Sequence, residues 1–306
     1  MKTERQDVYT QVTNTIIAAI EAGAGDWQMP WHRSGQGLNR PVNIDTANAY
    51  RGINVVSLWA SAQARGFSTG VWGTYRQWQS KGCQVRKGEK SSLVVFYKEF
   101  DVEEQKDDGE IEQGRRLIAR ASYVFNADQV DGFESPPLPE PKDPAQILDK
   151  AETFVGATGA DIRHGGNQAF YSISLDGHGD FIQMPERQRF MGTETSTATE
   201  SYYSTLLHEL THWTGSAKRC NRQFGKRFGD DAYAVEELVA ELGAAFLCAD
   251  LGITLEPRPD HAAYLDHWLK VLKADKKAIF TAASQAAKAT DYLAGLRSSD
   301  ATKAAP

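Results

Sequence analysis

Cysteine is scarce in this chain, and long hydrophobic runs are missing. The three cysteines, Cys83, Cys220 and Cys248, are odd in number and form no C-x-x-C pair. This spacing argues against a disulfide framework and favours a reducing compartment. No stretch approaches the roughly 18 apolar residues of a membrane helix. The N-terminus has no apolar segment behind a basic start, so we expect no secretory signal, a cytoplasmic location and no membrane partner.

Proline is concentrated in one segment of the chain. Residues 134–144 (ESPPLPEPKDP) hold five of the 11 prolines and read as a semi-rigid spacer. With 306 residues, 41% of them hydrophobic, the chain is long enough for two domains. We predict one domain over residues 1–133, the linker at 134–144 and a second domain over 145–306. Short helices and alternating strands predict an α+β fold, with N-terminal helices beside a small antiparallel sheet.

The segment YYSTLLHELTHWTG carries an H-E-x-x-H motif. On a helix, His208 and His212 share one face and can bind one metal ion. Glu209 then lies beside the open coordination position, where it can accept a proton from a water molecule. The alternative is an amphipathic helix with two surface histidines. The Thr214-Gly215 pair after the second histidine predicts the helix end.

A catalytic zinc needs a third protein ligand, and the next helical segment offers glutamates. Glu237 and Glu241 are four residues apart and share a face. We predict that Glu237 is the ligand and that Glu241 accepts a hydrogen bond from a ligand histidine, with the reverse assignment as the alternative. Glu236 points about 100° away and is expected to be solvated. Tyr233 is a candidate to stabilise an oxyanion, although packing is the alternative role.

The N-terminal part of the chain is basic and rich in tryptophan. Residues 1–98 hold 12 Lys and Arg against 6 Asp and Glu, whereas residues 99–306 hold 22 against 34. Five of the seven tryptophans precede residue 80. Aromatic faces stack on unpaired bases while cations contact phosphates, so this pattern favours single-stranded DNA. Core packing is the alternative for each tryptophan, above all for Trp59.

Several ordered strings resemble those of the ArdC antirestriction family, whose N-terminal domain is shared with conjugative primases of the TraC type. They are Pro30-Trp31, Pro41-Val42-Asn43, Tyr50-Arg51-Gly52-Ile53-Asn54, Trp72-Gly73-Thr74-Tyr75-Arg76-Gln77 and Val85-Arg86-Lys87-Gly88-Glu89-Lys90. HELTHWTG and YAVEELVAELGAAFL are similar to the family's zincin-like metallopeptidase domain. The resemblance extends over roughly residues 5–295.

The resemblance implies an antirestriction protein of conjugative plasmids that binds single-stranded DNA without sequence preference. It implies Zn²⁺, or another divalent ion such as Mn²⁺ or Co²⁺, on His208, His212 and Glu237, with Glu209 as general base. The expected DNA contacts are Trp31, Arg40, Asn43, Tyr50, Arg51, Asn54, Trp72, Arg76, Gln77, Arg86, Lys87 and Lys90.

Two other functions remain open at this point. The chain could be a DNA-tethered metalloprotease that cleaves a specific protein, such as a restriction subunit or a DNA–protein crosslink. It could also be a binding protein whose metal is structural. The motif predicts metal binding more directly than it predicts catalysis, because the sequence supplies no peptide substrate.

Overall fold

The structure is a computed structural model that describes residues 7–23, 40–105, 111–134, 144–173, 179–192, 196–222, 231–253 and 261–303. These residues form an α+β fold, as predicted. The helices are α1 (Val8–Gly23), α2 (Ile53–Arg65), α3 (Tyr75–Ser80), α4 (Pro144–Gly156), α5 (Ala198–Thr214), α6 (Asp231–Leu251), α7 (His261–Ala274) and α8 (Ala278–Lys303). The strands are β1 (Val42–Asn43), β2 (Val71–Gly73), β3 (Gln84–Val85), β4 (Ser92–Gln105), β5 (Ile111–Asn126), β6 (Val130–Asp131), β7 (Ile162–His164), β8 (Phe170–Ile173) and β9 (Asp180–Met184).

The N-terminal region builds its sheet in the order β1-β2-β5-β4. The β1–β2 pair is parallel, so the predicted antiparallel sheet is antiparallel only between its other neighbours. Asn54 of α2 covers the outer edge of β4. Its amide accepts from Val95 N at 2.7 Å and donates to Val95 O at 2.8 Å. The side chain thus pairs the strand as a neighbouring backbone would, which fixes α2 against the sheet.

The C-terminal region contains a second sheet in the order β7-β9-β8. Strands β8 and β9 form an antiparallel hairpin, and β7 pairs with β9 in parallel. Helix α5 packs on β8 and β9 on one side and on α6 and α8 on the other. Helix α5 therefore contacts both the sheet and α6, which is buried from residue 236 to residue 248.

One continuous cluster of buried hydrophobic side chains joins the two regions. Helix α1 contacts α7, and α2 contacts α8. Arg40 adds a bidentate ion pair with Asp250 in α6, at 2.9 and 2.8 Å. The division into residues 1–133 and 145–306 stays a prediction, and residues 135–143 of the expected linker lie outside the described residues. In the part of the chain that is described, no helix is long and apolar enough to cross a membrane.

Candidate functional site

Helix α5 presents the H-E-x-x-H residues in its last two turns. Thr197 caps the helix: its hydroxyl accepts from Glu200 N, and the Glu200 carboxylate accepts from Thr197 N. The helix ends at Thr214, as the Thr-Gly pair predicts. His208 and Glu209 are 4% and 3% exposed. The His212 side chain is 12% exposed, so neither histidine is a surface residue.

Helix α6 lies against α5 because the two backbones can approach closely at Gly243. A Cβ at this position would lie 2.5 Å from Thr211 Cγ2 and 2.6 Å from Thr211 Oγ1. Only glycine fits such a contact without a shift. Since Thr211 precedes His212 directly and Glu237 lies earlier in α6, the close approach brings a carboxylate of one helix to the imidazoles of the other.

Three ligand atoms converge between the two helices. His208 Nε2 lies 3.1 Å from His212 Nε2, and Glu237 oxygens lie 3.5 Å from the former and 3.4 Å from the latter. Glu241 approaches the other ring nitrogen of His208, with Oε2 at 3.6 Å from Nδ1. The structure thus brings Glu237 to the centre of the cluster and places Glu241 behind a histidine.

The geometry and chemistry of this donor set fit a divalent cation. Tetrahedral zinc with bonds of about 2.0–2.1 Å holds its ligand atoms about 3.3 Å apart, close to the separations here. His212 Nδ1 lies 3.2 Å from Glu236 Oε1. A neutral His212 that donates its Nδ1 proton to this carboxylate directs the Nε2 lone pair at the cluster centre. A cation at the centre would satisfy that lone pair together with the Glu237 carboxylate.

Glu236 is buried, and the prediction that it is solvated is wrong. It is 5% exposed, and its carboxylate pairs with Arg222 on one side and His212 on the other. The reason is that α6 has no exposed face here, since every residue from 236 to 248 is buried. Sequence patterns assign Arg222 no role at the site, because its position beside α6 depends on the turn that follows α5.

The carboxylates around His212 change its proton affinity. Burial alone would lower the pKa of the imidazolium, but hydrogen bonds to Glu236 and Glu237 outweigh burial and raise the pKa to about 10. Burial would raise the pKa of Glu237, yet its bonds to the two histidines hold that pKa far below the ordinary value. The cluster is thus preorganised for positive charge, whether that charge is a proton or a metal ion.

The tyrosines near the motif occupy different places. Tyr233 is half-buried in the first turn of α6, one turn before Glu237 and on the same helical side. Tyr202 donates or accepts a hydrogen bond at 2.9 Å with His164 Nε2, and its ring lies under the Arg187 guanidinium. Tyr203 donates to Glu152. Tyr202 and Tyr203 thus link α5 to neighbouring elements. Tyr233 lies on the same helix as Glu237.

Several expected DNA contacts lie inside the protein. Trp72 and Tyr50 are 1% and 7% exposed, and both Asn54 amide atoms bond to β4. Asn43 bonds to Tyr50 and Gln77, and Gln77 also completes the cap of α3. Trp31 lies outside the described residues. These side chains hold the N-terminal elements together, because their hydrogen bonds join α2, α3, β1 and β4.

The expected basic contacts divide into two groups. Arg40 and Arg51 form ion pairs with Asp250 and Asp291 in the C-terminal helices. Of these two, Arg40 is 14% exposed and Arg51 is 64% exposed. In the second group, Arg76, Arg86, Lys87 and Lys90 are exposed, and Arg86 is bonded to Glu89 and Asp131. The structure also exposes aromatics that sequence reasoning missed. They are Tyr75, Phe96, Tyr97 and Tyr123, all 45–53% exposed.

A two-histidine helix packed on a sheet, with a glutamate from the next helix, defines a zincin-type metallopeptidase domain. Comparison with known families agrees, because residues 149–285 match the zincin-like metallopeptidase family. Residues 6–125 match the N-terminal domain of the anti-restriction factor ArdC.

Proteins similar over most of the chain are known. The uncharacterized protein y4eC of Sinorhizobium fredii is 48% identical over 94% of this chain and 91% of its own length. The DNA primase TraC of Escherichia coli is 35% identical over 94% of this chain, which spans only 27% of that primase. The metal-free crystal structure of the antirestriction protein ArdC from plasmid R388 is 39% identical, with a TM-score of 0.73 and coverage of 96% and 99% of the two chains. The Mn(II)-bound structure of the same protein is 38% identical, with a TM-score of 0.71 and coverage of 95% of this chain and 98% of that chain.

The two family matches cover the N-terminal and the C-terminal parts of the chain, and the ArdC structure is similar over both parts. The protein therefore belongs to the ArdC family of antirestriction proteins, and it carries a zincin-like metallopeptidase domain.

Proposed function

We propose that this protein is a plasmid-associated antirestriction factor that binds single-stranded DNA through its N-terminal region and a divalent cation through His208, His212 and Glu237. The observation that carries the metal part is the convergence of His208, His212 and Glu237, with the two Nε2 atoms 3.1 Å apart and each within 3.5 Å of a Glu237 oxygen. The Mn(II)-bound form of R388 ArdC supports a divalent ion in a related chain. Zn²⁺, Mn²⁺ and Co²⁺ all suit imidazole and carboxylate ligands.

The residues around the cluster suit hydrolysis of an acyl bond. A divalent cation held there supplies Lewis acidity. Glu209 is buried and close enough to His212 to contribute to its raised pKa. In this proposal the Glu209 carboxylate accepts a proton from water, and Tyr233 donates a hydrogen bond to a developing oxyanion. Glu236 contacts the outer nitrogen of His212 at 3.2 Å and helps to orient that ring, and Glu241 lies 3.6 Å from the outer nitrogen of His208.

The DNA-binding part of the proposal rests on exposed aromatics beside cations. Tyr75 and Arg76 begin α3, and Trp78 of that helix donates a hydrogen bond at 3.1 Å to Phe125 O. Helix α3 therefore packs beside β5, the strand that carries exposed Tyr123. Aromatic side chains at such a surface stack on unpaired bases while arginine contacts phosphate. The ArdC-type N-terminal domain that this chain shares with a DNA primase supports the same ligand.

A labelled oligonucleotide tests this surface by fluorescence anisotropy. We expect Y75A and Y123A each to weaken single-strand binding by about 1–3 kcal/mol. Phe170 provides a matched control, since it is 43% exposed but lies on β8 of the other region. F170A should bind as the wild type does. Equal losses in all three variants, or equal affinity for duplex and single strand, would contradict a stacking surface at α3 and β5.

The presence of Glu209 in the motif favours a second candidate function for this chain, that of a DNA-tethered metalloprotease. In a metal-dependent hydrolase a carboxylate beside the ligands serves as the general base, and Glu209 of the H-E-x-x-H motif is the buried residue available for that role. E209Q keeps the volume and removes the base, so the two functions can be separated by transferring unmodified plasmid DNA into a restricting host. Protection that survives in E209Q supports shielding by DNA binding. Protection lost in E209Q, with oligonucleotide affinity unchanged, supports proteolysis.

A further inference from the structure

A buried arginine supports one of the two histidines from outside the cluster. Arg222 follows α5 and folds back over its end. Its Nε donates to Glu236 Oε2 at 3.0 Å, and its Nη2 donates to Glu236 Oε1 at 2.8 Å. The same carboxylate oxygen, Oε1, lies 3.2 Å from His212 Nδ1. The three side chains therefore form one chain of contacts from guanidinium to carboxylate to imidazole.

Arg222 is itself held rigidly. Its Nη1 donates to Thr214 Oγ1 at 2.7 Å, and its Nη2 donates to the main-chain oxygen of Thr211 at 2.6 Å. The Thr211 carbonyl belongs to the last turn of α5, where carbonyls lack partners within the helix. The guanidinium thus caps the helix that carries His212 and binds the carboxylate that contacts His212. Its side chain is 3% exposed, so water does not compete for these bonds.

The two histidines differ in this support. His208 Nδ1 is buried without a hydrogen bond among the described residues, and the nearest Glu241 oxygen lies 3.6 Å away. His212 has a bonded carboxylate with an arginine behind it. A carboxylate bound by a bidentate guanidinium has little freedom to rotate. The orientation of the His212 ring, and with it the direction of Nε2, is therefore set by a residue that does not touch the cluster.

We propose that Arg222 is a positioning residue for metal binding, which acts through Glu236 to aim His212 Nε2 at the centre of the ligand triangle. The inference rests on the proposed metal site. It adds a residue that lies outside both the H-E-x-x-H motif and helix α6. It also gives Glu236 a function beyond filling the interior.

Binding of Co(II) to the full-length protein tests the proposal without any activity assay. Titration calorimetry gives the Kd, and the visible spectrum of bound Co(II) reports ligand geometry. R222M should raise the Kd about 10–100-fold, the range typical for residues that orient a ligand, and should change the spectrum. R222K keeps the charge without the two parallel bonds, so its Kd should lie between those of the wild type and R222M.

Arg219 supplies the matched control. It lies in the same turn, its side chain is 9% exposed, and it also binds a main-chain oxygen of α5, that of Trp213. Its carboxylate partner is Asp180 of the sheet, not a glutamate beside a histidine. R219M should therefore keep the wild-type Kd and spectrum. Circular dichroism and the unfolding midpoint identify variants that are folded, and R222K replaces R222M if the latter is not.

A double-mutant cycle distinguishes positioning from general packing. If Arg222 acts through Glu236, R222M combined with E236Q should raise the Kd no more than E236Q alone does. Additive effects, or a folded R222M that binds Co(II) with the wild-type Kd, would overturn the inference while leaving the metal site in place. A wild-type protein that binds no Co(II) would overturn the metal site itself, and the role of Arg222 with it.

Discussion

The contact between Gly243 and Thr211 allows a quantitative test of how the two site helices are held together. A methyl group added at Gly243 would lie 2.5 Å from Thr211 Cγ2, whereas carbon atoms rest about 3.5–4.0 Å apart. Helices α5 and α6 must therefore separate by about 1 Å in G243A. Overpacking of this size costs about 1–3 kcal/mol, and alanine in place of glycine inside a helix offsets about 1 kcal/mol of it. We expect a net loss of up to about 2 kcal/mol in the free energy of unfolding.

The same separation should weaken metal binding. Gly243 lies about 9 Å along α6 from Glu237, too near for a shift of the helix to leave the glutamate in place. Before the change, the two Nε2 atoms are 3.1 Å apart and each lies within 3.5 Å of a Glu237 oxygen. Because bonds to a divalent cation tolerate little variation in length, a displaced Glu237 should raise the Kd for Co(II).

Two further variants make the experiment specific. Gly295 of α8 is exposed and has nothing within 4 Å of an added Cβ, so G295A should gain about 1 kcal/mol from helix propensity alone. T211A removes both atoms that a methyl at Gly243 would meet most closely. The double variant T211A/G243A should therefore recover stability and metal affinity relative to G243A.

Urea unfolding gives the free energies, and Co(II) titration gives the Kd for each variant. The reasoning is refuted if G243A gains stability as G295A does. It is also refuted if T211A and G243A are additive, since additivity would mean that the two positions do not meet.

The remaining predictions concern charge and the sheet edge. The pKa of His212 is raised from 6.5 to about 10, so its protonation stabilises the metal-free fold fully below pH 6.5. This contribution is lost as the pH rises towards about 10. Urea unfolding in EDTA should show the decline in the free energy of unfolding, and a flat pH profile in the wild type would contradict it. N54L leaves Val95 N and O unpaired on the edge of β4 and should cost about 2 kcal/mol or more in thermal unfolding, whereas an unchanged midpoint would refute the edge-pairing role. R76M should reduce the slope of log K against log salt concentration for oligonucleotide binding by about 0.7. R40M should leave this slope unchanged, since Arg40 is paired with Asp250. Equal slopes in both variants would contradict the difference between the two arginines.

Local patterns in the sequence predict the elements of the site well. The H-E-x-x-H spacing predicts a helix with both histidines on one side, and α5 has that form. The Thr214-Gly215 pair predicts the end of that helix, and α5 ends at Thr214. Such features depend on residues within a few positions of one another, so hydrogen bonding and side-chain periodicity determine them.

Surface and interior were harder to assign from the sequence. Tryptophans and arginines in the basic N-terminal region suggested DNA contacts, yet Trp72 is buried and Arg40 pairs with α6. Aromatic side chains serve a core as well as a base stack, and composition does not distinguish the two uses. The exposed aromatics on α3, β4 and β5 became visible only once the packing of those elements was known.

The sequence by itself determined the family, the metal-binding helix and the glutamate helix, because each is encoded in short strings with a chemical requirement at fixed spacing. Tertiary structure decided which glutamate meets the Nε2 atoms, why Glu236 is buried, and that Arg222 lies behind His212. The reason is physical: these relations depend on how closely α5 and α6 approach at Gly243 and on where the turn after α5 returns the chain. Distances between elements are set by packing of the whole core and not by the spacing of residues within one element.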